Sequence, residues 1–314
     1  MISVENLTKI YGGQKALDSV SFQVHDGEVL GFLGPNGAGK STTMKIITGF
    51  IAPSDGTVKV NDLDVVDDSF KVRQKIGYLP ETNPLYTEMK VHEYLRFVAS
   101  ARQIPKEKEM QAIRRMVDVC GLRDVIGKSI DALSKGYRQR VGLAQAMIHD
   151  PDMLILDEPT SGLDPNQIVE IRDLIKRIGL QKTVILSTHI LPEVTATCSR
   201  VVIINNGRIV AQGTTAELTA QTAGRDVVYA KIRGARDVIR SVLSEYHHVQ
   251  NVAVIDEEPD GITGFTIEVL PGFGDAREVV FKNVVSNNWP LLELYRKQEN
   301  LEDVFRRLTT NEEK

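Results

Sequence analysis

The sequence predicts an α/β protein with a parallel-sheet core, followed by a smaller α+β module. Three observations carry this expectation. Short apolar runs at Val29–Leu33, Met153–Leu156, Val184–Ser187 and Val201–Ile204 have the length and continuity of strands buried on both faces. They alternate with stretches of helical spacing, the pattern left by parallel strands joined through crossover helices. A segment rich in Thr, Ala, Gln and Gly, Thr214–Gly224, then separates this part from residues 225–314, which follow a pattern of their own.

Ile2–Leu7 and Leu17–Val24 alternate like strands of an edge sheet, and Asp26-Gly27 turns the chain into Val29–Leu33. A glycine-rich loop opens a helical pattern from about Lys40 to Thr48. Pro53-Ser54-Asp55-Gly56 is a turn before a strand at Thr57–Val60. From about Thr87 to Gly121 the spacing is helical, with Tyr94, Phe97, Val98 and Ala101 on one run and Ile113, Met116, Val117 and Cys120 on another. The last part predicts strand Val227–Ile232, helix Ala235–Tyr246, and strands Val249–Ile255 and Thr263–Leu270 joined through Pro259-Asp260-Gly261. A helix at Asp275–Ser286, a strand at Leu291–Tyr295 and a helix at Leu301–Leu308 follow. That βαββαβ order is the one of a ferredoxin-like module.

A chain of 314 residues accommodates one large domain and one small one. Its formal net charge of −4 argues against electrostatic binding to nucleic acid, so no nucleic-acid partner is expected. Cys120 and Cys198 lie far apart without metal-ligand spacing; both are expected as buried small hydrophobes in a reducing compartment. The opening MISVENLTKIYGG lacks a basic start and an apolar core, so no signal peptide is expected. No apolar run approaches the roughly 20 residues of a membrane-spanning helix. A membrane role therefore calls for a second chain.

Gly34-Pro-Asn-Gly-Ala-Gly-Lys40-Ser41 fits the phosphate-loop pattern G-x-x-x-x-G-K-[ST]. It lies between a buried strand and a helix, which distinguishes it from a glycine-rich turn with an exposed lysine. Backbone amides and a helix N-terminus would close around phosphates, Lys40 would reach the β- and γ-phosphates, and Ser41 would ligate Mg²⁺. Leu154-Ile-Leu-Asp157-Glu158 ends an apolar strand in two carboxylates. One acid at a strand end often caps the next helix; two in succession at a carboxyl end, beside a phosphate loop, point to ligand chemistry. Asp157 would hold Mg²⁺ and Glu158 would orient or deprotonate the attacking water.

Leu133-Ser134-Lys135-Gly136-Tyr137-Arg138-Gln139-Arg140 alone reads as a helix start capped by Ser134. With Ser161-Gly-Leu-Asp164, with His189 after a strand and with Tyr11 ahead of the phosphate loop, it completes an ordered set across residues 2–218. That set resembles the ATP-binding-cassette (ABC) ATPase family, with its signature loop, D-loop, switch histidine and adenine-stacking aromatic.

The resemblance implies a P-loop ABC ATPase fold: a parallel-sheet core, an antiparallel β subdomain and a helical subdomain at about 83–150. Residues 1–220 would form the ATP-binding domain and 225–314 the accessory domain. It implies ATP and Mg²⁺ as cofactors. Nucleotide would be held by Tyr11, Gly34, Pro35, Asn36, Gly37, Ala38, Gly39, Lys40, Ser41, Thr42 and Glu81. Asp164 would bind nucleotide as well, and Ser134 and Gly136 would serve the nucleotide of a second, head-to-tail subunit. Ser41, Asp157 and Glu81 would face the metal, and Glu158, His189 and Lys40 would carry catalysis.

The chain departs from the family pattern at Lys135 and Tyr137, where the signature has Gly and Gln, and at Glu81, where Gln is usual. Glu81 adds negative charge beside the phosphates. Pro80-Glu81, the Leu-Ser-Lys-Gly signature and Asn300-Leu-Glu-Asp-Val-Phe305 resemble the subgroup that drives ABC-2-type exporters, including drug-resistance and gliding-motility systems. The expected partners are a separate transmembrane permease subunit and a second ATP-binding subunit in a homodimer. The expected place is the cytoplasmic face of the cell membrane. The alternative is a soluble ABC ATPase acting on a nucleic-acid or ribosomal machine; one cassette with no heptad run and no basic patch argues against it.

Overall fold

Alternation of apolar and polar side chains makes Ile2–Tyr11 (β1) and Gln14–Val24 (β2) a half-buried antiparallel pair. Their hairpin turns through Gly12 and Gly13, both at positive φ, as a two-residue turn of matching twist requires. The structure, a computed structural model, describes residues 1–220, 226–270, 272–297, 302 and 305. The chain divides into two compact units, one within residues 1–215 and the other within 216–307.

In the first unit β3 (Val29–Leu33) leads through the glycine loop into α1 (Lys40–Ile47). Strands β4 (Asp55–Val60) and β5 (Leu63–Asp64) extend the β1–β2 pair into an antiparallel sheet of order β2-β1-β4-β5. Helix α2 (Ser69–Lys75) and strand β6 (Ile76–Leu79) follow. Helices α3 (Val91–Ala101), α4 (Lys106–Cys120) and α5 (Lys135–Met147) form the helical block. Strands β7 (Met153–Asp157), β8 (Thr183–Thr188), β9 (Arg200–Asn205) and β10 (Arg208–Gly213) then alternate with α6 (Pro165–Gly179) and α7 (Leu191–Thr197); α8 (Thr215–Ala220) starts at the boundary with the second unit.

The central sheet has six strands in the order β10-β9-β3-β8-β7-β6, all parallel except β10. Strands β3, β7, β8 and β9 are buried on both faces, which is why they read as continuous apolar runs. Leu154, Leu156, Val184 and Leu186 pack toward the helical block, whereas Met153, Ile155 and Ile185 pack toward α1 and the antiparallel sheet.

The second unit runs β11 (Asp226–Arg233), α9 (Arg236–Glu245), β12 (Val249–Glu258), β13 (Ile262–Val269), α10 (Ala276–Ser286) and β14 (Leu291–Arg296). Its antiparallel sheet has the order β12-β13-β11-β14. Val228, Ala230, Ile232, Phe265 and Ile267 meet Ile239 and Leu243 of α9 and Val280 and Val284 of α10 in one apolar core.

The expected fold class is the observed one, with local differences. β1 and β2 extend through the polar stretch between Leu7 and Leu17, carried by ladder hydrogen bonds and register shifts. The helical stretch expected from Thr87 to Gly121 is two helices. Gln103 takes a left-handed φ of 58° and Pro105 begins the next segment, and both break a helix there. Cys120 is buried, but Cys198 is only partly so. The helix expected at Leu301–Leu308 falls almost wholly outside the described residues.

Candidate functional site

β3, β8 and β7 are adjacent and parallel, so their carboxyl ends open at one edge of the sheet, where open α/β sheets bind ligands. From β3 comes the phosphate loop. A Cβ on Gly34 would lie 2.4 Å from the Ile204 carbonyl oxygen, and one on Gly39 2.6 Å from Leu17 Cδ2, so only glycine lets the loop pass so close to β9 and β2. Asn36 and Gly37 form the exposed tip, while the buried Ala38 donates its amide to the Pro35 carbonyl and accepts from the Gly207 amide. α1 starts at Lys40, so Ser41 and Thr42 sit in the turn whose amides lack helical partners. Lys40 is 6% exposed. Its Nζ donates to the carbonyls of Gly34 (2.8 Å) and Pro35 (3.1 Å) and lies 3.2 Å from Glu158 Oε1.

From β7 come Asp157 and Glu158, both buried. Asp157 Oδ1 accepts from the hydroxyls of Ser187 (2.6 Å) and Ser41 (3.2 Å). Burial raises its pKa, against the pull of those two hydrogen bonds. Glu158 holds a left-handed φ of 49°, a conformation costing a non-glycine residue about 1–2 kcal/mol. Its amide donates to both the carbonyl (3.1 Å) and the hydroxyl (3.0 Å) of Ser187, which hold it there. The carboxylate lies between the Lys40 ammonium and His189 Nδ1, the latter at 2.9 Å.

From β8 come Ser187, Thr188 and His189. His189 is the half-exposed member and reaches the Glu158 carboxylate. His189 is marked in the sequence by its place after a strand, whereas Ser187, whose hydroxyl contacts both members of the acid pair, is not. A polar residue closing an otherwise apolar buried strand was the available signal.

Ser134, Gly136 and Asp164 gather in a second cluster. Ser134 caps α5, its Oγ accepting from the Tyr137 amide at 3.4 Å, and Asp164 caps α6 through the Gln167 amide at 3.0 Å. Gly136 packs so closely on Gln167 that a Cβ would lie 2.7 Å from its side chain. Gln139 Nε2 donates to the Pro159 carbonyl at 2.8 Å, tying α5 to the residue after Glu158. Tyr11 ends β1, half exposed, with Lys9 Nζ 5.2 Å from its ring centroid. Glu81 is exposed just beyond β6. Burial and then the charges of Asp157 and Glu81 raise the pKa of the Tyr78 phenol, so both carboxylates act on one neighbour.

The arrangement can cradle phosphate oxygens on loop amides and Lys40, hold a divalent ion, and place a carboxylate and an imidazole beside them. Two carboxyl or hydroxyl ligands suit Mg²⁺, which keeps waters and takes its remaining oxygens from phosphate. Among the described residues no cluster of three or more His, Cys, Asp or Glu forms a metal site without a substrate.

The family model described as ABC transporter matches residues 17–161, and an AAA-domain model matches residues 129–196. The chain is 33% identical over 305 residues to the ABC transporter ATP-binding protein YxlF of Bacillus subtilis, covering 97% of this chain and 98% of that protein. It is 31% identical to the linearmycin resistance ATP-binding protein LnrL of the same organism, covering 82% and 83%. It is 30% identical to the Nod factor export ATP-binding protein I of Ralstonia nicotianae, covering 99% and 94%. The dimeric ATP-binding cassette MJ0796, solved in a post-hydrolysis state with ADP and Pi, superimposes with a TM-score of 0.62 at 25% identity over 68% of this chain and 98% of that one. This chain belongs to the ABC transporter ATP-binding proteins, a family of ATPases.

Proposed function

We propose that this protein is the ATP-hydrolysing subunit of an ABC-2-type exporter, acting as a head-to-tail pair of subunits on a separate membrane permease. The observation that carries the reading is the meeting of Lys40, Ser41, Asp157, Glu158 and His189 at one sheet edge. Mg²⁺ would supply positive charge that offsets the negative charge building up on the phosphates. Ser41 and Asp157, which meet in a hydrogen bond, would hold the ion together with Glu81. Lys40 exchanges its loop carbonyls for the β- and γ-phosphates. Glu158 takes a proton from the attacking water as its oxygen bonds to the γ-phosphorus and ADP leaves. Nδ1 of His189 is engaged with Glu158, so Nε2 is the ring atom that meets the γ-phosphate. Asp164 binds nucleotide as well, Ser134 and Gly136 serve the nucleotide of the other subunit, and Tyr11 stacks on the adenine.

Residues 1–220 form the ATP-binding domain in this reading, with the helical subdomain at about 83–150 and the accessory domain at 225–314. Export is supported by the relatives named for linearmycin resistance and Nod factor export. No helix among the described residues is long and apolar enough to cross a membrane. A groove of about 510 Å³ offers the permease a seat: the rings of Phe70, Tyr86, Tyr94 and Phe97 line it, together with Arg73 and Arg102. Phe70, Tyr86 and Phe97 are exposed there although large apolar side chains favour burial. The protein then sits at the cytoplasmic face of the membrane. The test is light scattering with ATP and Mg²⁺. Glu158→Gln should run as a dimer and Ser134→Arg as a monomer; identical behaviour with and without nucleotide defeats the paired-subunit reading.

A further inference from the structure

We propose that Glu193 is a positioning residue for His189, acting through the hydroxyl of Thr188. The inference rests on the reading of His189 given above and assigns a role to a buried carboxylate that the proposed reaction does not use. Glu193 is 4% exposed, in the first turn of α7. Its Oε2 accepts from Thr188 Oγ1 at 2.8 Å, while Oε1 is buried with no hydrogen-bond partner. A buried carboxylate with one oxygen unpaired is unfavourable, and such groups call for a specific account.

The geometry supplies it. Thr188 is fully buried at the end of β8, directly before His189. Its hydroxyl has two partners. It donates to Glu193, and it accepts from the Ile190 amide at 3.0 Å, so it brackets His189 from both sides. Its carbonyl accepts from the Gly34 amide at 3.3 Å, so the same residue also touches the start of the phosphate loop. The Glu193 amide closes the turn onto the Ile190 carbonyl at 3.1 Å. Helix α7 is itself fixed. A Cβ on Gly31 of β3 would fall 2.7 Å from Val194 Cγ1 and 3.1 Å from Cys198 Sγ, so the helix lies against the strand without slack. Glu193 thus hands the position of a rigid helix to the hydroxyl that shapes the turn carrying His189. Without that acceptor the Thr188 hydroxyl is held by the Ile190 amide alone, and the imidazole loses its fixed approach to Glu158.

The experiment uses the full chain. Glu193→Ala and Thr188→Val should each lower kcat for ATP hydrolysis about tenfold or more, with ATP affinity by calorimetry within twofold, as expected for a misplaced rather than missing group. Glu193→Gln and Thr188→Ser keep an acceptor and a hydroxyl and should recover most of the loss. The double variant should be no slower than either single. A second readout is independent of turnover. In protein with ¹⁵N-labelled histidine, the ring signals of His189 should move in Glu193→Ala while those of the other histidines stay, with His189→Ala giving the assignment. Wild-type kcat in Glu193→Ala, or displacement of all histidine signals together, overturns the proposal. If Glu193→Ala is unfolded by circular dichroism, Thr188→Val decides. His189→Ala separates the two readings. Unchanged turnover there refutes the role of His189 itself; lost turnover there with intact Glu193→Ala refutes only the role of Glu193.

Discussion

The two units of the chain treat polar groups in opposite ways. In the first, Lys40, Asp157, Glu158, Ser187, Thr188 and Glu193 are all buried, and all converge where β3, β7 and β8 end. In the second, the buried polar residues among those described are Thr263 and Asn283, and the charges are held in ion pairs at the surface, such as Lys231 with Glu258 and Arg236 with Glu257. Burying charge is costly unless it is paired and hydrogen-bonded. The first unit accepts that cost at one edge of its sheet, whereas the second has an apolar core built for cohesion. The contrast separates where chemistry is to be sought from where stability is.

The largest effect should come from the acid pair. Glu158→Gln preserves shape but cannot take a proton, so steady-state ATP turnover should fall by on the order of 10²-fold or more with nucleotide still bound. Turnover near wild type in a clean preparation would sink the role given to Glu158.

Next is the core of the second unit. Phe265 is fully buried, and Phe265→Ala should destabilise that unit by about 3–5 kcal/mol. Trp289, the single tryptophan of the chain, packs against this core, so its fluorescence follows the second unit. Urea should release the fluorescence signal earlier in the variant while ATP affinity stays within a few-fold. A matching loss of ATP affinity would show that the two units share the site.

The smallest effect concerns acid. Burial, then the charge of Arg102, pushes His149 down to about 4, and its Nε2 hydrogen-bonds to the Ile76 carbonyl at 3.2 Å. The unfolded chain takes up that proton near pH 6.5, the folded one only near 4. Between those values the unfolded state binds more protons, so stability falls as pH drops. Melting temperature should therefore decline less between pH 7 and 5 in His149→Gln than in wild type. Equal declines would remove His149 from the account.

Much of this was legible in the sequence because it is local. The glycines of the phosphate loop, the carboxylates closing an apolar run and the histidine after the next run each mark a strand end within a few residues of chain. The ferredoxin-like order of the second unit was legible for the same reason, its strands being separated by turns such as Pro259-Asp260-Gly261. What was not legible depends on side chains meeting across strands. Ser187 acquires its role only because β8 lies beside β7 and brings its hydroxyl onto Asp157 and the Glu158 amide. Glu193 looks like an ordinary acid in the first turn of a short helix until the fold buries it against the Thr188 hydroxyl. The spacing of Phe97 places it on an apolar helix face, yet it stands in the open groove with Tyr86, their ring centroids 5.2 Å apart.

The parallel register of β3, β8 and β7 has one more consequence. Leu33 is level with Thr188, and Ser187 is level with Asp157, so the three reactive segments leave the sheet from successive rungs of one ladder. Neighbouring strands in such a ladder are spaced about 4.8 Å apart by their backbone hydrogen bonds, whatever side chains they carry. The sheet therefore works as a ruler. A substitution at one strand end changes which group is presented, but it leaves the interval to the next group untouched. A group carried at the end of β3, β8 or β7 can then be exchanged without redrawing the intervals between the strands.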